Sequence, residues 1–174
     1  MSIHRVRESA IVQADLDSVW RFFSDPRNLA RITPPWLGLR LTCEPPAEMH
    51  PGLILTYTVR PFAGVPLTWV TEITHVVDHR LFVDEQRMGP YAFWHHQHHF
   101  RPHADGVAME DIVHYALPGG PAGDLVNRLS VAKRVASIFA YRTTVMREVF
   151  PVLTRAEGAP TPPSALPAFG HATA

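Results

Sequence analysis

The sequence predicts an α+β domain in which an antiparallel sheet is followed by one long C-terminal helix. Three observations carry this. Ala122 to Phe150 contains no proline, and no glycine after Gly123, so roughly eight helical turns can run without a breaker. Between Leu39 and Leu117, strand-like segments are separated by short turns rich in Pro, Gly and Asp, and short links of this kind make hairpins and therefore antiparallel pairing. The length of 174 residues with 46% hydrophobic side chains suits one domain with a complete core.

In chain order, Ile3 to Val12 alternates apolar and polar residues and reads as a strand. Asp15 to Phe23 reads as a short helix with Asp15 as N-cap and Val19, Trp20 and Phe23 on its apolar face. Asp25-Pro26 restarts the chain as a second short helix through Asn28 to Ile32, which Thr33-Pro34-Pro35 ends. Six strands are expected next, over Leu39–Cys43, Leu53–Arg60, Leu67–Val77, Leu81–Arg87, Phe93–Arg101 and Val107–Leu117. The long helix starts after Pro118-Gly119-Gly120-Pro121 and stops at Pro151. One apolar seam on it reads Leu125, Leu129, Ala132, Ala136, Phe139, Met146 and Phe150; a second reads Val131, Val135, Ile138, Val145 and Val149. An arc this wide needs a curved sheet to cover it. Arg142 falls inside the arc, so its guanidinium is expected to point toward the sheet and meet a carboxylate or a histidine-lined cavity. The domain is expected over residues 1–157. Residues 158–174, rich in Pro and Ala and without periodicity, read as a disordered tail.

Composition excludes several classes. The 16 basic and 16 acidic side chains cancel, and without a basic stripe neither nucleic acid nor an anionic membrane has an electrostatic foothold. The single cysteine, Cys43, rules out an internal disulfide and suits a reducing compartment. No apolar run is long enough to span a membrane, and MSIHRVRES lacks the apolar core of a signal peptide. A cytoplasmic protein is expected. There is no phosphate loop, dinucleotide fingerprint, serine nucleophile elbow or zinc-spaced cysteine pair.

The order of elements and the wording of three stretches resemble a known superfamily. The stretches are DSVWRFFSDPRNLARITPPW (Asp17 to Trp36), LFVDEQRMGPYAFWHHQHHF (Leu81 to Phe100) and MEDIVHYALP (Met109 to Pro118). They are similar to START-like or Bet v 1-like (SRPBCC) proteins, and most of all to the bacterial ligand-binding SRPBCC domains. The resemblance covers roughly Ile3 to Leu153. It implies a helix-grip fold: a seven-stranded antiparallel sheet wrapped around the C-terminal helix, two short helices after the first strand, and a hydrophobic cavity between sheet and helix. The fold hosts carriers, receptors and cyclases, so it does not by itself choose a function.

The run Phe93 to Phe100 holds four of the eleven histidines. On a strand, Trp94, His96, His98 and Phe100 share one face while His95 and His99 share the other. On the next strand Val107, Met109, Asp111, Val113 and Tyr115 form the more apolar and hence inward face, which buries Asp111. A buried carboxylate must be paired or protonated, and His96, His98 and Arg142 are its candidate partners; the register of this hairpin is not set by the sequence. His95 and His99 read as members of an outer polar ladder. Asp84 and Gln86, on the face of Phe82, read as supports for the Gly89-Pro90 loop. No metal or cofactor is expected, because no third ligand follows His98 at the offset of a cupin-type site; Arg101-Pro102 stands there instead.

Three functions follow. The first is non-enzymatic binding of an apolar or aromatic small molecule between sheet and helix. Its pocket would be lined by Tyr57, Trp69, Phe82, Trp94, Tyr115 and Phe139, with His96, His98 and Arg142 as polar contacts. The second is an enzyme of the polyketide cyclase/dehydratase type using His96, His98, Asp111 and Tyr115. The third is a module that binds a protein partner, since the resembling domains also occur joined to epimerase-like enzymes.

Overall fold

The computed structural model describes residues 2–62 and 64–150; the Pro/Ala-rich tail expected at 158–174 lies outside them. Strand β1 (His4–Val12) leads into helix α1 (Leu16–Ser24). Asp15 caps α1 by accepting from the Ser18 backbone N–H at 2.8 Å. Two single 3₁₀ turns follow, Pro26–Asn28 and Pro35–Leu37. The second short α-helix expected at 28–32 is therefore only a 3₁₀ turn followed by hydrogen-bonded turns through Ile32. Asp25 caps it and Pro26 opens it, but the prolines at 26, 34 and 35 leave too few residues for α-helical propagation.

Six further strands are β2 (Arg40–Leu41), β3 (Leu53–Phe62), β4 (Val65–Val77), β5 (Leu81–Met88), β6 (Phe93–His103) and β7 (Gly106–Ala116). They form one seven-stranded sheet in the order β1-β7-β6-β5-β4-β3-β2, all pairs antiparallel. Consecutive strands are neighbours from β2 to β7, and β1 closes against β7. This is the helix-grip architecture. Its inward faces follow the alternation: Leu53, Leu55, Tyr57 and Val59 on β3 are buried, as are Val107, Met109, Val113 and Tyr115 on β7.

The C-terminal helical segment departs from the expectation of one regular helix. It comprises α2 (Pro121–Val126), a π-turn (Asn127–Val131) and α3 (Ala132–Val149). A π-turn inserts one extra residue and rotates everything before it relative to everything after it. The seam therefore breaks: Leu125 and Leu129 are exposed, 54% and 70%, whereas Asn127 takes the inward position. From Val131 onward, Val131, Val135, Phe139, Arg142, Met146 and Phe150 are buried, while Ala136 of the first seam is exposed. Asn127 accepts a hydrogen bond from the Tyr115 hydroxyl at 3.0 Å, so the polar residue brought inside is partnered, as a buried amide must be.

Leu129 and Met146 occupy one seam on an ideal helical wheel but opposite environments in the fold. Met146→Ala is expected to cost about 2–5 kcal/mol, and Leu129→Gln no more than about 0.5 kcal/mol. Urea denaturation of the two variants measures both.

Candidate functional site

The sheet and α3 enclose a cavity of about 170 Å³. Its sheet wall comes from alternate residues of neighbouring strands: Leu55, Tyr57 and Val59 of β3, Trp69, Thr71 and Ile73 of β4, and Phe82 of β5. Trp94 of β6 joins them, its ring 5.5 Å from Trp69 and 4.8 Å from Tyr91. Ile138 and Phe139 of α3 form the opposite wall, and Leu29 and Ile32 of the proline-rich turns close one side. Gln86 holds the β5–β6 turn beside the cavity, donating to the Tyr91 carbonyl at 2.7 Å and accepting from its N–H. At Gly89 a Cβ would meet the Gln86 amide oxygen at 2.3 Å, so a larger residue there would displace Gln86 from Tyr91.

One end of this apolar space is charged. Asp84, His96, His98 and Arg142 all line it. The register explains the convergence: Asp84 lies opposite His96 and Phe82 opposite His98 across β5–β6, while His98 lies opposite Asp111 across β6–β7. Each imidazole thus sits between two carboxylates. His96 has Nδ1 3.3 Å from Asp84 Oδ2 and Nε2 3.0 Å from Asp111 Oδ1. His98 has Nε2 2.9 Å from the same Asp84 oxygen and Nδ1 2.8 Å from the same Asp111 oxygen. The last contact is close but poorly aligned, so His98 Nδ1 makes no regular hydrogen bond. Arg142 completes the group, its Nη1 2.9 Å from Asp111 Oδ2. Its guanidinium lies between the Phe23 and Phe139 rings, 5.4 and 5.8 Å from their centroids, a position that suits a desolvated cation.

The electrostatics follow from these contacts. Burial alone raises a carboxyl pKa, yet His96 and His98 outweigh it at Asp84 and hold that group below the usual carboxylate range. At Asp111, burial is outweighed first by Arg142 and then by the two histidines. Burial disfavours charged His96, but Asp84 and Asp111 prevail and raise its pKa. Burial, reinforced by Asp84, pushes the Tyr57 hydroxyl up, so Tyr57 faces the cavity as a neutral phenol.

Of the residues nominated from sequence for the pocket, Tyr57, Trp69, Phe82, Trp94, His96, His98, Phe139 and Arg142 line the cavity. Tyr115 does not: its ring packs beneath Tyr91 and Trp94 and its hydroxyl is turned to Asn127, because the π-turn brings that amide inward. Asp111 is not among the lining residues either. It stands behind the two histidines, so it orients them rather than meeting a ligand. The carboxylate that does face the cavity is Asp84. The loop-supporting role read for it belongs to Gln86 alone, since Asp84 contacts the two histidines. The available signal was its place on the inward face shared with Phe82. On the outer face, His95 bonds Glu85 at 3.1 Å and Gln97 at 3.0 Å, and His99 bonds Gln97 at 2.9 Å; this ladder lies away from the cavity.

Residues 12–139 match the family model described as polyketide cyclase / dehydrase and lipid transport. The chain belongs to that family. No curated protein matches it. Among solved structures, the chain is similar to protein CV1439 from Chromobacterium violaceum, with a TM-score of 0.64 and 13% identity over 84% of this chain and 97% of that one. It is also similar to the di-domain ARO/CYC StfQ from the steffimycin biosynthetic pathway, with a TM-score of 0.63 and 10% identity over 84% of this chain and 50% of that one. Ara h 8.0201 gives a TM-score of 0.54 at 13% identity, over 83% and 99%. At these identities the likeness is one of fold. Among the described residues, no helix is long and apolar enough to cross a membrane.

Asp111 and Arg142 are each other's principal charge partner, so removing either leaves a buried charge uncompensated. Asp111→Asn and Arg142→Gln are each expected to cost about 3–5 kcal/mol. The double variant should cost less than their sum by about 0.5–3 kcal/mol. A urea-denaturation double-mutant cycle reads the coupling directly; strictly additive losses would contradict the pairing.

Proposed function

We propose that this family member binds a small, mainly apolar molecule carrying one hydroxyl or carbonyl group, with its ring or chain between sheet and α3 and its polar atom at the charged end. The observation that carries this reading is the cavity itself: apolar on most sides, with Asp84, His96, His98 and Arg142 meeting at one end and Asp25 the other charged residue of its lining. Sites of this kind use apolar walls for affinity and a few placed polar groups for orientation. Size narrows the class. Pockets for drug-sized ligands span about 300–1,000 Å³, whereas an apolar cavity of about 150 Å³ holds benzene. At about 170 Å³, the space suits a molecule of one aromatic ring. Charge narrows it further. Arg142 is committed to Asp111 and Asp84 faces the ligand, so a neutral phenol is favoured over a carboxylate.

A second reading is an enzyme of the cyclase or dehydratase type, and one observation favours it: three titratable groups converge on a single point of the cavity wall. Its acid/base set is Asp84, His96 and His98, with Asp111 as a positioning residue. Tyr115 has no part in it.

Phenol at a hundredfold excess over its dissociation constant should stabilise the metal-free protein by about 2.7 kcal/mol, a rise of several degrees in Tm. Benzoate should give a smaller shift. Trp94→Ala, which opens the wall, should lose the phenol shift. Mass analysis of candidate ligands after incubation separates the two readings, since a binder returns its ligand unchanged. If neither single-ring compounds nor a broad set of flavonoids, polyketides and lipids shifts Tm, the binding reading is wrong and the partner-module reading takes its place.

A further inference from the structure

We propose that Asp84, His96 and His98 form a site for one divalent transition-metal ion, with its open coordination positions facing the cavity. The proposal goes beyond the ligand-binding reading and needs no organic ligand. Three ligand atoms face one another: Asp84 Oδ2, His96 Nδ1 and His98 Nε2, the nitrogens lying 3.3 and 2.9 Å from the oxygen. An ion held at the usual 2.0–2.1 Å sets neighbouring ligand atoms about 2.9–3.4 Å apart, from right-angled to tetrahedral. Both nitrogen–oxygen separations fall in that range, and one ligand atom from each of the three residues lies within 4.8 Å of the others.

The surrounding shell is that of a metal site. A metal-bound imidazole characteristically turns its second nitrogen to a carboxylate, which fixes its tautomer and orientation. Here His96 does so, with Nε2 3.0 Å from Asp111 Oδ1, and His98 Nδ1 approaches the same oxygen at 2.8 Å without hydrogen-bond alignment. Arg142 holds the other Asp111 oxygen at 2.9 Å. With both imidazoles neutral, as metal ligands must be, two carboxylates against one guanidinium leave one negative charge in this group for a cation to offset. The third ligand is invisible to spacing rules along one strand. It arrives from β5, through the pairing of Asp84 with His96. Two histidines and one carboxylate with free positions suit Fe²⁺, Co²⁺ or Zn²⁺. The apolar walls place a small molecule beside those positions.

The full chain is dialysed against a chelator and then equilibrated with Zn²⁺ or Co²⁺, or with Fe²⁺ without oxygen. About one ion per chain should be retained after gel filtration, Tm should rise, and the Co²⁺ form should show visible ligand-field bands. Asp84→Asn, which keeps the shape and loses the charge, and His98→Ala should each weaken retention at least tenfold. His95→Ala, on the outer face, should leave it unchanged and so excludes adventitious binding to surface histidines. Circular dichroism and Tm of the metal-free variants establish that they fold; if His98→Ala does not, Asp84→Asn decides alone. No retained ion in the wild-type chain, or equal retention in Asp84→Asn, would overturn the proposal. A phenol shift that persists without metal would leave the ligand-binding reading standing. Retained metal without any ligand shift would remove that reading and leave the metal site.

Discussion

The structure depends on matching five ionisable side chains gathered between sheet and helix: buried His96, His98, Asp111 and Arg142, and half-buried Asp84. Apolar contacts tolerate sliding by a residue, because one aliphatic side chain substitutes for another at small cost. Buried charges do not, because each unpaired ion costs several kcal/mol. The β5–β6–β7 register places each imidazole between two carboxylates, and a slip of one residue would turn every member to the opposite face. Arg142 extends the same constraint to α3, fixing the helix in depth and rotation against the sheet through Asp111. The charged group therefore specifies how the helix sits, while the aromatic and aliphatic residues around it supply most of the driving force.

This arrangement also accounts for a cavity in an otherwise packed interior. Arg142, flanked by the Phe23 and Phe139 rings, lines the cavity between α3 and the sheet together with Tyr57 and Thr71. Collapse would press apolar side chains onto Asp84, whose charge is balanced only while the histidines keep their positions. Rigid aromatic neighbours, with Trp69, Tyr91 and Trp94 in mutual contact, resist it on the other side. An apolar chamber with one charged end is the result, and its small size is as informative as its chemistry.

Much of this was legible in the sequence. Alternation located the strands and their inward faces, Asp15 and Asp25 marked the caps, and an arginine within an apolar arc identified the link between helix and sheet. Three features were not legible, each for a physical reason. The π-turn at Asn127–Val131 has no residue signature; it is set by tertiary packing, and it moved Leu125 and Leu129 out and Asn127 in. Tyr115 followed, since its hydroxyl takes the nearest buried acceptor rather than the cavity. Asp84 was placed with Gln86 by strand alternation, but only the cross-strand register joins it to His96 and His98. Alternation assigns a face; which residues on that face meet depends on register, and register is a property of the whole sheet.

The most direct test of the account is where a bound ring sits relative to the charged end. Nuclear Overhauser contacts from ring-labelled phenol to the metal-free protein would locate it, together with the imidazole nitrogen signals of His96 and His98. The account predicts contacts from the ring to Tyr57, Trp69 and Phe139 and a simultaneous shift of the imidazole signals. Contacts confined to surface residues, with both imidazoles unmoved, would contradict it.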